Sequence, residues 1–424
     1  MTKLADVPAP GADKPAVRLA PQTAGAHNNL GVERMAKGRL GDAMACFRRA
    51  LDIDPNHADA LNNFGATLAR DRRNPEAIGF FERALAQKPG FAKARSNLGK
   101  AWHRRGCFGK AIENLQAAIA DDGENTLALM RLAEIQADLG RNDEAIENYR
   151  RAIAANPDHI GARCGYADLA QVGADDAHIA AIEDMAGRGN LNSAAKAMVA
   201  FVTGRALDRS GRFGEAFARI GEGNAMVAAL RSFDIAARPG HIAAVKAAYR
   251  GEAPRNRSVA GTSGPDPIFV VGLSRSGKTL VHSLLSQADG VLGADESGDW
   301  IYAVHAIKER HKLAGEFPHF VGPLLANHAG EVGELFQTLI NEIAPDAHHA
   351  VFTAPVHYFF IGLILDVLPR ARIVYCRRDP MDNCLDLLFQ YYRSGNAYAF
   401  GEERIAAYIA GYRDLMAFWR TRTG

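Results

Sequence analysis

Residues 268–285 read IFVVGLSRSGKTLVHSLL. The apolar run Ile268 to Val271 predicts a buried strand, and Leu280, Val281, Leu284 and Leu285 recur afterwards at helical spacing. Between them Gly272 to Thr279 fits G-x-x-x-x-G-K-S/T. A glycine-rich turn between a buried strand and a helix N-terminus aims several backbone N–H groups at one point, where the helix dipole also favours an anion. Arg275 and Lys278 add cationic donors. The stretch therefore predicts phosphate binding within an α/β domain built on a parallel sheet.

A second apolar run, ARIVYCRR at 371–378, qualifies that reading. A nucleotide triphosphatase wants a magnesium-binding Asp at the end of such a strand. Here Arg377 and Arg378 come first and Asp379 follows. Two arginines at a strand end make a second anion site, which favours a nucleotide bearing phosphates in two places. An ATP-dependent kinase using the loop literally is the competing enzyme reading.

Upstream, the chain repeats itself. Ala43, Ala77, Ala111 and Ala145 are 34 residues apart, and Phe47, Phe81, Leu115 and Tyr149 keep the same step, as do Gly31, Gly65 and Gly99. This pattern resembles the tetratricopeptide repeat, a helix-turn-helix unit that stacks into an α-solenoid. Four repeats are expected over 24–160. A helical capping region with a divergent repeat-like unit is expected over 161–248, a linker over 249–266, and the α/β domain over 267–424. Residues 1–23 are expected to be a disordered leader. A solenoid of this kind offers a concave face for an extended peptide, with Asn62, Asn63, Lys93 and Asn97 on its lining helices; a spacer or dimerisation role is the plainer alternative.

PIFVVGLSRSGKTLVHSLLSQADGVLGADE and ARIVYCRRDPMDNCLDLLFQYY together resemble the two nucleotide motifs of sulfotransferases that use 3′-phosphoadenosine 5′-phosphosulfate (PAPS). With the repeats, the chain is similar to bacterial proteins that join tetratricopeptide repeats to a domain like that of tyrosylprotein sulfotransferases. The resemblance implies an α/β P-loop-like fold with PAPS as co-substrate and no metal. It implies that Arg275, Ser276, Gly277, Lys278 and Thr279 surround the 5′-phosphosulfate and that Arg378 meets the 3′-phosphate. It further implies that Glu296 takes the acceptor's hydroxyl proton while Arg275 stabilises charge on the transferred group. The acceptor would be a hydroxyl compound or a protein tyrosine, presented by a peptide or protein bound to the repeats.

Four positions depart from the family pattern. Ser274 stands for Pro, Lys278 for Thr, Asp386 for the Ser of the second motif, and Thr353 for a Lys that assists the leaving group. The domain is also expected to be short at its C-terminal end. These departures motivate a third reading, a catalytically degenerate repeat scaffold.

Composition narrows the field further. The formal charge is +2, and from Pro267 onward 14 Lys and Arg face 17 Asp and Glu, so no broad basic face invites nucleic acid. Five cysteines without a C-x-x-C pair predict neither a disulfide framework nor a zinc site, and adjacent His348 and His349 lack ligand-spaced partners. The N-terminal segment lacks a signal-peptide core, and no apolar run approaches a membrane span. A cytoplasmic location is expected.

Overall fold

The computed structural model describes residues 23–249, 264–392 and 395–423. The expected leader and most of the expected linker lie outside the described residues. The first part is a stack of helix pairs: Ala24–Ala36 (α1) with Leu40–Ile53 (α2), Ala58–Arg70 (α3) with Asn74–Gln87 (α4), Ala92–Arg104 (α5) with Phe108–Asp121 (α6), and Thr126–Asp138 (α7) with Asn142–Ala155 (α8). The periodic residues explain the close approach within each pair. A Cβ on Gly65 would lie 2.8 Å from the Phe81 ring, so the aromatic fills the space that the glycine leaves. Ala43, Ala77, Ala111 and Ala145 are fully buried at the same register.

The stack continues through Ile160–Leu169 (α9), Ala177–Gly187 (α10) and the long pair Ser193–Arg209 (α11) and Phe213–Leu230 (α12). Ala237–Ala248 (α13) departs from the expected capping role. Its apolar stripe, Ile242 and Val245 with Tyr249, belongs to the core of the α/β unit, and Tyr249 meets Trp419 edge to face at 5.1 Å. Helical spacing makes the stripe, but only the fold decides which core receives it.

The second part carries a parallel sheet of Asp266–Val271 (β1), Val291–Asp295 (β2), His349–Phe352 (β3) and Arg372–Tyr375 (β4) in the order β2-β3-β1-β4. Lys278–Leu285 (α14), Asp299–Arg310 (α15), Val321–Asn327 (α16), Ala329–Asn341 (α17), Ile361–Val367 (α18), Pro380–Leu388 (α19) and Glu402–Thr423 (α20) surround it. Phe269 on β1 stacks on Phe352 at 5.3 Å and meets Trp300 of α15 edge to face at 6.0 Å, which fixes the helix bearing Trp300 against the sheet. Among the described residues, no helix is long and apolar enough to cross a membrane.

Candidate active site

The turn after β1 has the geometry its sequence predicts. Arg275 and Gly277 take positive φ angles of 68° and 92°, so the chain turns sharply before α14, and the Ser276 N–H donates back to the Leu273 carbonyl at 3.2 Å. Lys278 folds back over the loop and donates from Nζ to the Leu273 carbonyl at 3.1 Å; burial lowers its pKa from the ordinary lysine value. Ser276 Oγ is buried without a hydrogen-bond partner in the protein. Thr279 is exposed in the first turn of α14.

The end of β4 reaches the same place. Arg378 Nη1 donates to the Arg275 carbonyl at 3.0 Å and forms an ion pair with Asp386 of α19. Asp379 caps α19, accepting from the Met381 N–H at 2.8 Å, and so fixes where that helix starts. A cavity of about 270 Å³ opens between Ser276, Arg377 and Arg378 on one side and Tyr412, Arg413 and Arg420 of α20 on the other. The last three escape a motif search. Their signal is the spacing: Ile409, Tyr412, Arg413, Met416 and Arg420 occupy one helix face, indistinguishable in sequence from an ordinary amphipathic stripe.

Glu296 follows β2, and the loop that carries it is pinned from three sides. The Asp295 N–H donates to His282 Nε2 of α14 at 3.1 Å, and the Thr353 N–H donates to the Asp295 carbonyl at 2.7 Å. Thr353 Oγ1 also donates to Asp295 Oδ1 at 2.9 Å. Thr353 therefore holds the loop at the position where the family pattern has a cation. Glu296 itself is exposed by surface area although protein crowds it closely. Burial raises its pKa, with Asp295 and Asp138 adding to the rise and Lys278 and Arg72 opposing it. Behind Lys278, His357 is fully buried with neither ring nitrogen partnered, and burial drives its pKa down to about 3, so it is neutral.

Arg72 and Asp138 come from the solenoid, because its inter-helix turns press on the Glu296 loop. A Cβ on Gly106 would lie 2.6 Å from the Ala294 carbonyl oxygen, so only glycine lets the α5–α6 turn approach that strand. Next to it, Arg105 Nε donates to both carboxylate oxygens of Asp299 at 3.2 and 3.3 Å, and Arg105 Nη2 donates to the Leu339 carbonyl at 2.9 Å. Arg105 and Asp299 side chains are each 2% exposed. A second cleft of about 570 Å³ lies between solenoid residues such as His103, Asp138 and Arg205 and the segment Gln390–Tyr391 of the α/β unit.

Asn62 and Asn63 on α3 and Asn97 on α5 stand on the first helices of their pairs, where the sequence puts them, but bond to other asparagines. Asn63 Nδ2 donates to Asn28 Oδ1 and Asn97 Nδ2 to Asn62 Oδ1, each at 2.9 Å, so they tie neighbouring repeats to one another. Lys93 stays exposed. His311, His328 and Glu331 form a cluster of metal-ligand composition, but the two rings stack 3.7 Å apart and 16° from parallel around a shared carboxylate. In that arrangement the in-plane lone pairs run side by side instead of converging.

A sulfotransferase-family model matches residues 267–423, and a tetratricopeptide-repeat model matches 14–58, 28–92 and 103–160. An uncharacterized protein of Aquifex aeolicus (strain VF5) is 25% identical over 160 residues, which is 36% of this chain and 21% of that protein. The chain thus spans about a fifth of the curated relative it matches. Among solved structures, Pseudomonas aeruginosa PilF is 19% identical with a TM-score of 0.39, covering 46% of this chain and 88% of that one. PilW, a type IV pilus biogenesis factor, is 20% identical with a TM-score of 0.42, covering 49% and 94%.

Proposed function

We propose that this chain, in which tetratricopeptide repeats precede a sulfotransferase-family domain, moves a sulfuryl group from PAPS to an acceptor hydroxyl presented along the repeats. The observation that carries this reading is the meeting of Ser276, Arg377 and Arg378 around one cavity, with Lys278 linking that loop electrostatically to Glu296. The unpartnered Ser276 hydroxyl, the positive-φ turn and the arginines suit an adenosine nucleotide with separate phosphate groups. Tyr412 and Met416 offer its base an apolar wall.

Chemically, the acceptor oxygen attacks sulfur as Glu296 takes its proton, the new S–O bond forms, and the bond to the 5′-phosphate oxygen breaks. The electron pair leaves with the nucleotide, 3′-phosphoadenosine 5′-phosphate (PAP). Lys278, Arg275 and the loop N–H groups face the charge that grows on the sulfonate and the leaving phosphate. Little else is asked of the protein beyond alignment.

Calorimetric titration with PAP, with ATP plus Mg²⁺ as comparison, tests the nucleotide assignment. Binding of PAP without metal is expected, and Arg275→Ala and Arg378→Ala are each expected to weaken it by about 10- to 100-fold, the loss of one charge-assisted contact. Equal affinity in all three proteins would remove both arginines from the site. Preference for ATP with Mg²⁺ would turn the reading to the kinase. Absence of all nucleotide binding in folded protein would turn it to the scaffold.

The raised pKa of Glu296 gives a second expected result. A base works only when ionised, so kcat/KM should fall as pH drops through a midpoint above the ordinary 4.5 of a glutamate. Asp138→Asn removes a neighbouring negative charge and should move that midpoint down, whereas Arg72→Ala should move it up. A pH profile of each variant with a tyrosyl peptide as acceptor measures this. Midpoints that ignore both substitutions would take the solenoid out of the base's environment.

A further inference from the structure

Arg378, which lines the nucleotide cavity, and Arg275 of the neighbouring loop are not free cations. Asp386, on α19, accepts from Arg378 Nη1, and its Oδ2 lies 3.9 Å from Arg275 Nε. Arg378 in turn reaches back to the Arg275 carbonyl, so the three residues close a ring at the mouth of the phosphate loop. Their side chains are 49%, 37% and 33% exposed for Arg275, Arg378 and Asp386, so an incoming anion meets this ring from solvent. A carboxylate in that position already satisfies the donors that a phosphate would use, and it repels a second anion placed beside it.

We infer that Asp386 is a built-in counter-anion which sets donor specificity: a nucleotide enters the phosphate loop freely, but its ribose 3′-phosphate must displace the Asp386 carboxylate from Arg378. The inference rests on the assignment of this cavity to a 3′-phosphorylated adenosine donor. Its consequence is that wild-type protein discriminates weakly between nucleotides with and without the 3′-phosphate. The donors are present; their selectivity is cancelled by one residue eight positions further along the chain.

The test is calorimetry of full-length wild type, Asp386→Ser and Asp386→Asn with PAP and, separately, with adenosine 5′-monophosphate, which lacks the 3′-phosphate. Asp386→Asn keeps the side chain's shape and removes its charge, which guards against a packing defect in the serine variant; matched thermal melts check that both fold. PAP affinity is expected to rise about tenfold or more in both variants, while monophosphate affinity stays within about threefold of wild type. An equal rise for both nucleotides would overturn the inference, since Asp386 would then act on the loop as a whole. Unchanged PAP affinity in a wild type that binds PAP would overturn it and leave the proposed function standing. Failure of all three proteins to bind either nucleotide would instead remove the nucleotide site itself, and the inference with it.

Discussion

Glu296→Gln is expected to lower sulfuryl transfer by about 10²- to 10⁴-fold while PAP binding is kept, the signature of a lost general base. Gln has the same shape and cannot take the proton. The Asp295 and Thr353 hydrogen bonds that hold the loop involve neighbouring groups, so the substitution leaves the loop in place. Removing the carboxylate also takes away the negative charge that acts most strongly on Lys278, which leaves that cation freer to meet a phosphate. Single-turnover transfer from PAPS to a tyrosyl peptide, read beside calorimetric PAP affinity, separates the two effects. A variant with unimpaired transfer would place the base elsewhere; one that loses PAP binding would show that Glu296 supports the nucleotide site instead.

Arg105→Met should cost about 3–5 kcal/mol of stability, the range for breaking a buried ion pair by removing one partner. The methionine fills similar volume, so the loss is electrostatic: Asp299 is left 2% exposed with its guanidinium gone. The pair with Glu342, which is 53% exposed, adds little. Burial already raises the pKa of Asp299 with Arg105 in place, and removing Arg105 raises it further. Because a carboxyl with a raised folded-state pKa favours the protonated folded form, the variant's deficit should shrink at acid pH and grow as pH rises through that pKa. Denaturant unfolding near pH 5.5 and near pH 8 measures it, and Asp299→Asn in the same chain should recover part of the loss. An Arg105→Met protein as stable as wild type at both pH values would refute a structural role for the pair. Since α15 begins three residues after Glu296, the same substitution should also slow transfer.

Much of the glycine-rich turn after β1 is legible in the sequence, because a turn of that kind is local. Its glycines, its flanking strand and helix, and its cations all fall within Ile268 to Leu285, and hydrogen bonds between near neighbours give it shape. The repeats were readable for a related reason: each unit meets mainly its neighbours, so one packing solution recurs every 34 residues and leaves its print in Gly65 and Phe81. Asn62, Asn63 and Asn97 mark the limit of that logic. Their position on the lining helices was legible, but their use as ties between repeats depended on which amide each one met.

Sequence by itself thus determined the two architectures and the glycine-rich turn between β1 and α14 with the cations it carries, all properties carried by short-range spacing. Only the tertiary structure decided that Arg105 and Asp299, 194 residues apart, join the solenoid to the loop bearing Glu296. It also decided that α20 walls the cavity beside that turn and that Asp386 pairs with Arg378. The physical reason is common to these cases: an ion pair or a cavity wall is set by where separate elements come to rest in three dimensions, and a lone arginine or an amphipathic helix face carries no mark of the partner that it will meet.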